Sequence, residues 1–182
     1  MSKFDFLKET IQNLRTAGNK LITDNAIQKM IGPIDFLEAD CIIQLEAGKG
    51  KLTEVLLEEM KPTGKLLCFE SDEKDIQALR QLNDDRLEII EDSPENMGDY
   101  LEDHGFMKAN YIVSSLPLNE LPKELSNSLL KVIQERLERD GYYTQIQYKT
   151  KSASIFEKHF SDVKMKFVIG TTPLSFVFIC KD

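Results

Sequence analysis

Residues 41–53 read CIIQLEAGKGKLT: an apolar, β-prone run, a loop with glycines at Gly48 and Gly50, and a return to helix-forming residues. Strand, glycine loop and helix in that order open a βαβ unit, and the alternation continues down the chain. KLLCFE (65–70), LEIIED (87–92), ANYIVSS (109–115) and GYYTQIQY (141–148) are short apolar or β-branched runs bounded by turn residues, which makes five strands with the first. Helical patterns fill the gaps at 51–61, 73–83, 94–104 and 122–138. The last starts after Leu121-Pro122 and stops at Gly141, with Leu125, Leu129, Ile133 and Leu137 at helical spacing. Such alternation predicts an α/β fold: right-handed crossovers, a mostly parallel sheet and helices on both faces. The tail differs. VKMKFVIG (163–170) and LSFVFICK (174–181) are separated only by TTP, too short for a helical crossover, so they should pair as an antiparallel hairpin.

The chain has 182 residues, 41% of them hydrophobic and 30% charged, which is ordinary composition for one globular domain. No apolar run approaches the roughly 20 residues of a membrane span, and MSKFDFLKET lacks the apolar core of a signal peptide, so a cytoplasmic location is expected. Cys41, Cys68 and Cys180 fall inside apolar runs with no CxxC or Cys/His pairing. They read as buried thiols, and no structural metal is expected. A net charge of -8 argues against broad contact with a phosphate backbone, so nucleic acid is an unlikely partner. The one compositional boundary lies near residue 38. Lys3, Lys8, Arg15, Lys20 and Lys29 outnumber Asp5, Glu9 and Asp24 in residues 1–30, whereas the remainder is strongly acidic. The chain therefore divides into an N-terminal helical segment, 1–38, and a main domain, 39–182.

In an open α/β sheet a ligand binds beyond the carboxyl ends of the strands, where the strand order reverses. The loop after the first strand is such a place. Gly48 and Gly50 let the backbone turn tightly and approach a ligand, and the helix near Lys51 offers its N-terminal amides. Glu70 ends the second strand 20 residues after Gly50, which suits an acid reaching the two hydroxyls of a ribose. Asp92 ends the third strand and can accept from an adenine amino group. The three strand ends outline an adenosine site. A dinucleotide fingerprint wants a glycine where Thr53 stands, and Glu46 would repel a pyrophosphate, which disfavours NAD. S-adenosylmethionine has no phosphate and carries a sulfonium and an ammonium, so it fits an acidic loop better. Each feature also has a purely structural reading. Gly-x-Gly can be only a tight turn, Glu70 an acid before a helix, and Asp92 or Ser93 the cap of a helix whose first residue is Pro94. His104 and His159 have no partner in sequence and read as surface or satisfied residues.

These motifs, in this order, resemble the class I S-adenosylmethionine-dependent methyltransferases, and in detail the bacterial phospholipid N-methyltransferases, which are themselves similar to the ribosomal RNA adenine dimethyltransferases. The resemblance spans nearly the whole chain. TAGNKLITDNAIQKMI (16–31), with Gly18 and Leu21, resembles the segment that closes over the cofactor. GKGKLTEVLLEEM resembles the cofactor loop and first helix, LLCFESD the ribose-binding strand end, IIEDSPEN with Asp92 and Ser93 the adenine-binding turn, and LERDGYYTQIQY the glycine-led fifth strand. VSSLPLNELP (113–122) resembles the phospholipid enzymes' substrate loop; this segment and TTPLSFVFICK are the most specific to that group. The resemblance implies a Rossmann-like, seven-stranded sheet of order 3-2-1-4-5-7-6 with the last strand antiparallel. It also implies S-adenosylmethionine as cofactor and a phospholipid amine, such as that of phosphatidylethanolamine, as methyl acceptor.

The chain departs from the family in the stretch quoted first. The family loop has an acid where Gln44 stands and a glycine where Glu46 stands. The acid normally contacts the methionine end of the cofactor; Gln44 can hydrogen-bond there but carries no charge. Glu46 either replaces the lost carboxylate or fills the pocket. For the acceptor, Ser115 stands where the RNA enzymes place an asparagine, followed by Leu116 and Pro117, and these three are the candidate catalytic residues; a plain turn after a buried strand is the alternative. Tyr148 is a further candidate for lining the substrate. In the N-terminal segment Phe4, Leu7, Ile11 and Leu14 share one helical face with Lys8 and Arg15 near its edges, the pattern of an interfacial helix or of a helix packed on its own domain. On the first of these readings residues 1–15 make a peripheral membrane contact, and deleting them removes vesicle binding. Three functions stay open: a lipid amine methyltransferase, a non-catalytic relative with impaired cofactor binding, and an RNA adenine methyltransferase.

Overall fold

The structure, a computed structural model, describes residues 3–16, 22–148, 153–171 and 173–182, and of residues 3 and 14–16 the backbone only. Seven strands form one sheet: β1 (Cys41–Leu45), β2 (Lys65–Phe69), β3 (Leu87–Ile90), β4 (Ala109–Ser114), β5 (Leu137–Gln147), β6 (Asp162–Val168) and β7 (Ser175–Lys181). Their order is β3-β2-β1-β4-β5-β7-β6. Strands β1 to β5 are mutually parallel, and β7 pairs antiparallel with both β5 and β6. This is the order the resemblance implies. β1 is buried at every position, as a central parallel strand covered on both faces must be.

Alternate residues of β1 feed two cores. Cys41, Ile43 and Leu45 join Met97 and Leu101 of α5 (Met97–Asp103), Leu129, Leu130 and Ile133 of α6 (Lys123–Arg136) and Phe156 of α7 (Ala153–Phe156). Ile42 joins Ala26, Ile27 and Met30 of α2 (Asp24–Ile31) and Leu52 and Leu56 of α3 (Lys51–Glu59). The three cysteines are buried free thiols. Burial, chiefly, pushes the Cys41 thiol up to about 12, which keeps it protonated and unreactive. Among the described residues no group of His, Cys, Asp and Glu could hold a metal ion, and no helix is long and apolar enough to cross a membrane. His104 pairs with Glu88, and His159 Nε2 lies 3.4 Å from Asn127 Oδ1.

Two helices end earlier than the sequence reading, at Glu59 and Arg80, and the 94–104 helix opens with a 3-10 turn, but the difference that changes an assignment lies before β5. The helix expected to run to residue 138 ends at Arg136, and β5 begins at Leu137 rather than Gly141. Leu137 is buried as the first residue of the strand, so its helical spacing from Ile133 is no guide to where the helix stops. The strand starts early because Leu137 pairs with Ala109; the register then shifts before Tyr111 pairs with Tyr142. Gly141 sits in this irregular stretch, where a Cβ would stand 2.2 Å from the Asn110 carbonyl oxygen. It is a point of close strand approach and not a helix stop.

Candidate active site

The strand order reverses between β1 and β4, and the loops that leave their carboxyl ends meet there. After β1 the chain turns through Glu46 at φ 64, Gly48 at φ 57 and Gly50 at φ 89 before α3 begins. Gly48 and Gly50 take this left-handed backbone without cost, and a Cβ on Gly50 would also press on Leu79 at 3.1 Å. Glu46 pays the usual penalty of a side chain in that conformation, about 1–2 kcal/mol. The family's glycine at this position therefore has a conformational reason, which the present chain overrides. Glu46→Gly is expected to stabilise the fold by about 0.5–1 kcal/mol, less than the full penalty because glycine has more entropy to lose, and to raise the melting temperature by roughly 2–3 °C. A lower melting temperature would show that contacts of the Glu46 side chain outweigh its strain.

Gln44 is buried on β1, and its Oε1 accepts from Thr53 Oγ1 of α3 at 2.9 Å. Its Nε2 has no partner among the described residues. The side chain that replaces the family's acid is thus turned toward α3. Glu70, 2% exposed, follows β2, and its carboxylate accepts three backbone N–H groups: Gly48 at 2.8 Å, Ser71 at 2.7 Å and Asp72 at 2.9 Å. One carboxylate therefore fixes both the glycine loop and the turn into α4 (Glu73–Arg80). Asp92, half-buried after β3, accepts from Ser93 N, Asn96 Nδ2 and Tyr100 Oη at 2.6, 2.9 and 3.1 Å. Ser93 caps the next turn by accepting from Glu95 N at 3.3 Å, as the capping alternative anticipated. Burial, and then the bond to Asp92, hold Tyr100 above the ordinary tyrosine range, so its hydroxyl stays a hydrogen-bond donor.

The loop after β4, the candidate acceptor loop, is pinned onto the loop after β1. Ser115 N donates to the Leu45 carbonyl at 3.0 Å, and Ser115 Oγ donates to the Glu46 carbonyl at 2.6 Å. Ser115 thus positions the two loops against each other. The Leu116 carbonyl accepts from Leu118 N at 2.8 Å across a tight turn centred on Pro117, at φ -78 and ψ 59. It also accepts from Gln145 Nε2 at 2.9 Å and Gln147 Nε2 at 3.2 Å. Gln147 is in turn held by Asn119, and Gln145 by Tyr143. The two glutamines were missed in the sequence. Their signal is a polar residue at alternate positions of an otherwise apolar buried strand, GYYTQIQY. Tyr148 follows as a half-buried side chain at the second core, away from this network.

The N-terminal helix completes the site. α1 (Lys3–Thr16) lays Phe4, Leu7 and Ile11 against Glu46, Phe69, Glu70, Ser71, Asp92, Pro94 and Leu116, leaving a cavity of about 10 Å³ between them. Leu7 is 2% exposed and Ile11 3%, and both belong to the first core. The packed-helix alternative is the arrangement seen. Lys8 at its edge pairs with Glu91 at 2.8 Å. Leu14 and Arg15 as side chains, and Gly18 and Leu21 altogether, lie outside the described residues.

The cleft lining suits the chemistry of an adenosyl sulfonium compound. Among the described residues it presents Glu46, Glu70 and Asp92 with no lysine or arginine, a setting that attracts positive charge and repels phosphate. Space is the obstacle: a pocket for a ligand of this size takes several hundred Å³, roughly 300 or more, and α1 occupies it.

No family model matches the chain. The ornithine lipid N-methyltransferase of Singulisphaera acidiphila is 24% identical over 151 residues, covering 81% of this chain and 79% of that protein. The precorrin-6y C5,15-methyltransferase of Geobacter metallireducens superposes with a TM-score of 0.70 at 13% identity, over 91% of this chain and 92% of that one. Human methyltransferase-like protein 13, solved in complex with SAH, superposes with a TM-score of 0.68 at 13% identity, over 87% and 82% of the two chains.

Proposed function

We propose, from the class I methyltransferase fold that these likenesses establish, that the chain is an S-adenosylmethionine-dependent methyltransferase acting on the amine of a membrane lipid. The observation that carries the reading is the junction of the two loops at the sheet's switch point. Ser115 locks the acceptor loop to the backbone of the cofactor loop, beside a cleft whose charged lining, among the described residues, is acidic. The 24% identical ornithine lipid enzyme supports a lipid amine as the acceptor class.

The cofactor supplies an activated methyl group on a sulfonium. Glu70 and Asp92 are the residues to hold its ribose hydroxyls and adenine, and Glu46 the carboxylate nearest to hand for a cationic end. On the acceptor side the protein has little chemistry to perform, because methylation of a neutral amine is governed by positioning. Ser115 Oγ, whose proton goes to the Glu46 carbonyl, offers its lone pairs to the amine, while Gln145 and Gln147 hold the Leu116 carbonyl and with it the turn of the loop. An amine arriving as an ammonium ion must first lose its proton to solvent.

A second reading, a methyltransferase fold without turnover, is favoured by one observation: α1 fills the cleft beside a strained Glu46. A net charge of -8 disfavours RNA adenine methylation. Incubation with labelled S-adenosylmethionine and a bacterial lipid extract is expected to label the amine-bearing lipids. Label in none of them removes the lipid reading, and no binding of S-adenosylhomocysteine by calorimetry leaves the fold without turnover.

A further inference from the structure

Of the seven large apolar side chains exposed among the described residues, four lie in one stretch: Met165 at 52%, Phe167 at 47%, Ile169 at 70% and Leu174 at 58%. They belong to the β6–β7 hairpin. β6 is an edge strand, bonded only to β7. Met165 and Phe167 pair with Phe178 and Phe176, which places them on one face, and the Phe167 and Phe176 rings meet at 5.6 Å. Ile169 and Leu174 continue the strip to the hairpin tip. We propose that this hairpin is the surface by which the protein rests on an anionic membrane, an inference that builds on the lipid-acceptor reading above.

Placement favours this occupant. β6 runs parallel to β1 through β5, because each pairs antiparallel with β7 or parallel with a strand that does, so the tip of the hairpin lies at the same edge of the sheet as the loops of the site. A short chain of contacts joins them. Ile169 N donates to Asn25 Oδ1 at 3.2 Å in the first turn of α2, and its neighbour Asp24 pairs with Lys51 at 2.7 Å, the first residue after the glycine loop.

Charge favours it as well. Lys164 and Lys166 alternate with Met165 and Phe167 along β6 and project from its other face, in a chain whose net charge is -8. Lys164 has an exposed ion pair with Asp162 at 3.1 Å, of the kind that contributes little and rearranges readily. An exposed edge strand that alternates basic and apolar side chains can set its apolar residues into the interface and keep its lysines within reach of anionic headgroups. The same lysines disfavour a second copy of the chain as the occupant: an antiparallel β6–β6 pairing centred on Met165 sets Lys164 directly opposite Lys166, and like charges so placed destabilise a sheet edge.

The test is flotation of the full chain with vesicles of phosphatidylcholine and phosphatidylglycerol, neither of which offers a methylatable amine. The parent is expected to bind these and to bind phosphatidylcholine alone weakly. The Ile169→Ser, Leu174→Ser double variant, altered only at exposed positions, is expected to lose binding by ~10-fold with an unchanged melting curve. It should methylate detergent-dispersed phosphatidylethanolamine as the parent does. Equal binding by parent and variant, no binding by the parent, or a parent dimer that the substitutions dissociate would each overturn the membrane surface. Failure of the underlying reading looks different: binding that is lost in the variant, while no lipid accepts a methyl group in either form.

Discussion

Glu70→Ala is expected to destabilise the protein by about 4 kcal/mol and to lower its melting temperature by roughly 10 °C. The magnitude follows from what the carboxylate holds. Three N–H groups, from Gly48, Ser71 and Asp72, converge on its two oxygens in a site where the residue is 2% exposed. Hydrogen bonds to an ionised acceptor are the stronger kind, and each buried N–H left without one costs about 1–3 kcal/mol, some of which water recovers in the space vacated. Glu70→Gln separates charge from shape. Its carbonyl oxygen still accepts, but its amide nitrogen must face an N–H, so a loss of about half that size is expected. Thermal melting of the two variants checks the order, and a Glu70→Ala melting temperature equal to the parent's would show that the carboxylate does not organise the loop. Because the same loop forms one wall of the cleft, calorimetry with S-adenosylhomocysteine should find affinity lost in both variants.

The sequence made the fold legible for a simple reason: parallel strands covered on both faces must be short apolar runs, and the crossovers between them must be helical. CIIQL, KLLCF and ANYIVS each satisfied that constraint, and the three-residue link TTP admitted only a hairpin. Boundaries were less legible where an apolar residue fits a helix or a strand pattern alike, as at Leu137. The site was legible as a set of strand ends, since Glu70, Asp92 and Ser115 do stand at the carboxyl edge. What each one touches was not. Glu70 and Asp92 both serve the chain's own backbone as well as a cleft, and no local pattern distinguishes a carboxylate held by three backbone amides from one open to a ribose. The engagement of Leu116 by Gln145 and Gln147 joins residues about 30 apart in the chain, a contact that only the pairing of β4 with β5 creates.

The amphipathic face of residues 4–11 was legible as a pattern, yet its partner was not, because apolar periodicity specifies burial without specifying against what. The structure supplies the partner: the cleft itself. Deleting residues 1–16 is therefore expected to tighten binding of S-adenosylhomocysteine by at least ~10-fold. Leu7 and Ile11 are almost wholly buried, and removing such a side chain from water is worth about 1.5–3 kcal/mol. Ordering the helix offsets part of this, and the Lys8–Glu91 pair adds little, since it lies at the surface, with side chains 30% and 45% exposed. A net docking free energy of about 1.5–3 kcal/mol remains, and a ligand that must displace the helix binds more weakly by the corresponding factor of roughly 10 to 150. Leu7→Asp with Ile11→Asp, which undocks the helix without shortening the chain, should reproduce the gain. The opposite outcome, weaker binding after either change, would mean that α1 closes over the cofactor as a lid and moves aside only enough to admit it. The two outcomes assign opposite roles to one helix, and the sign of the change in affinity decides between them.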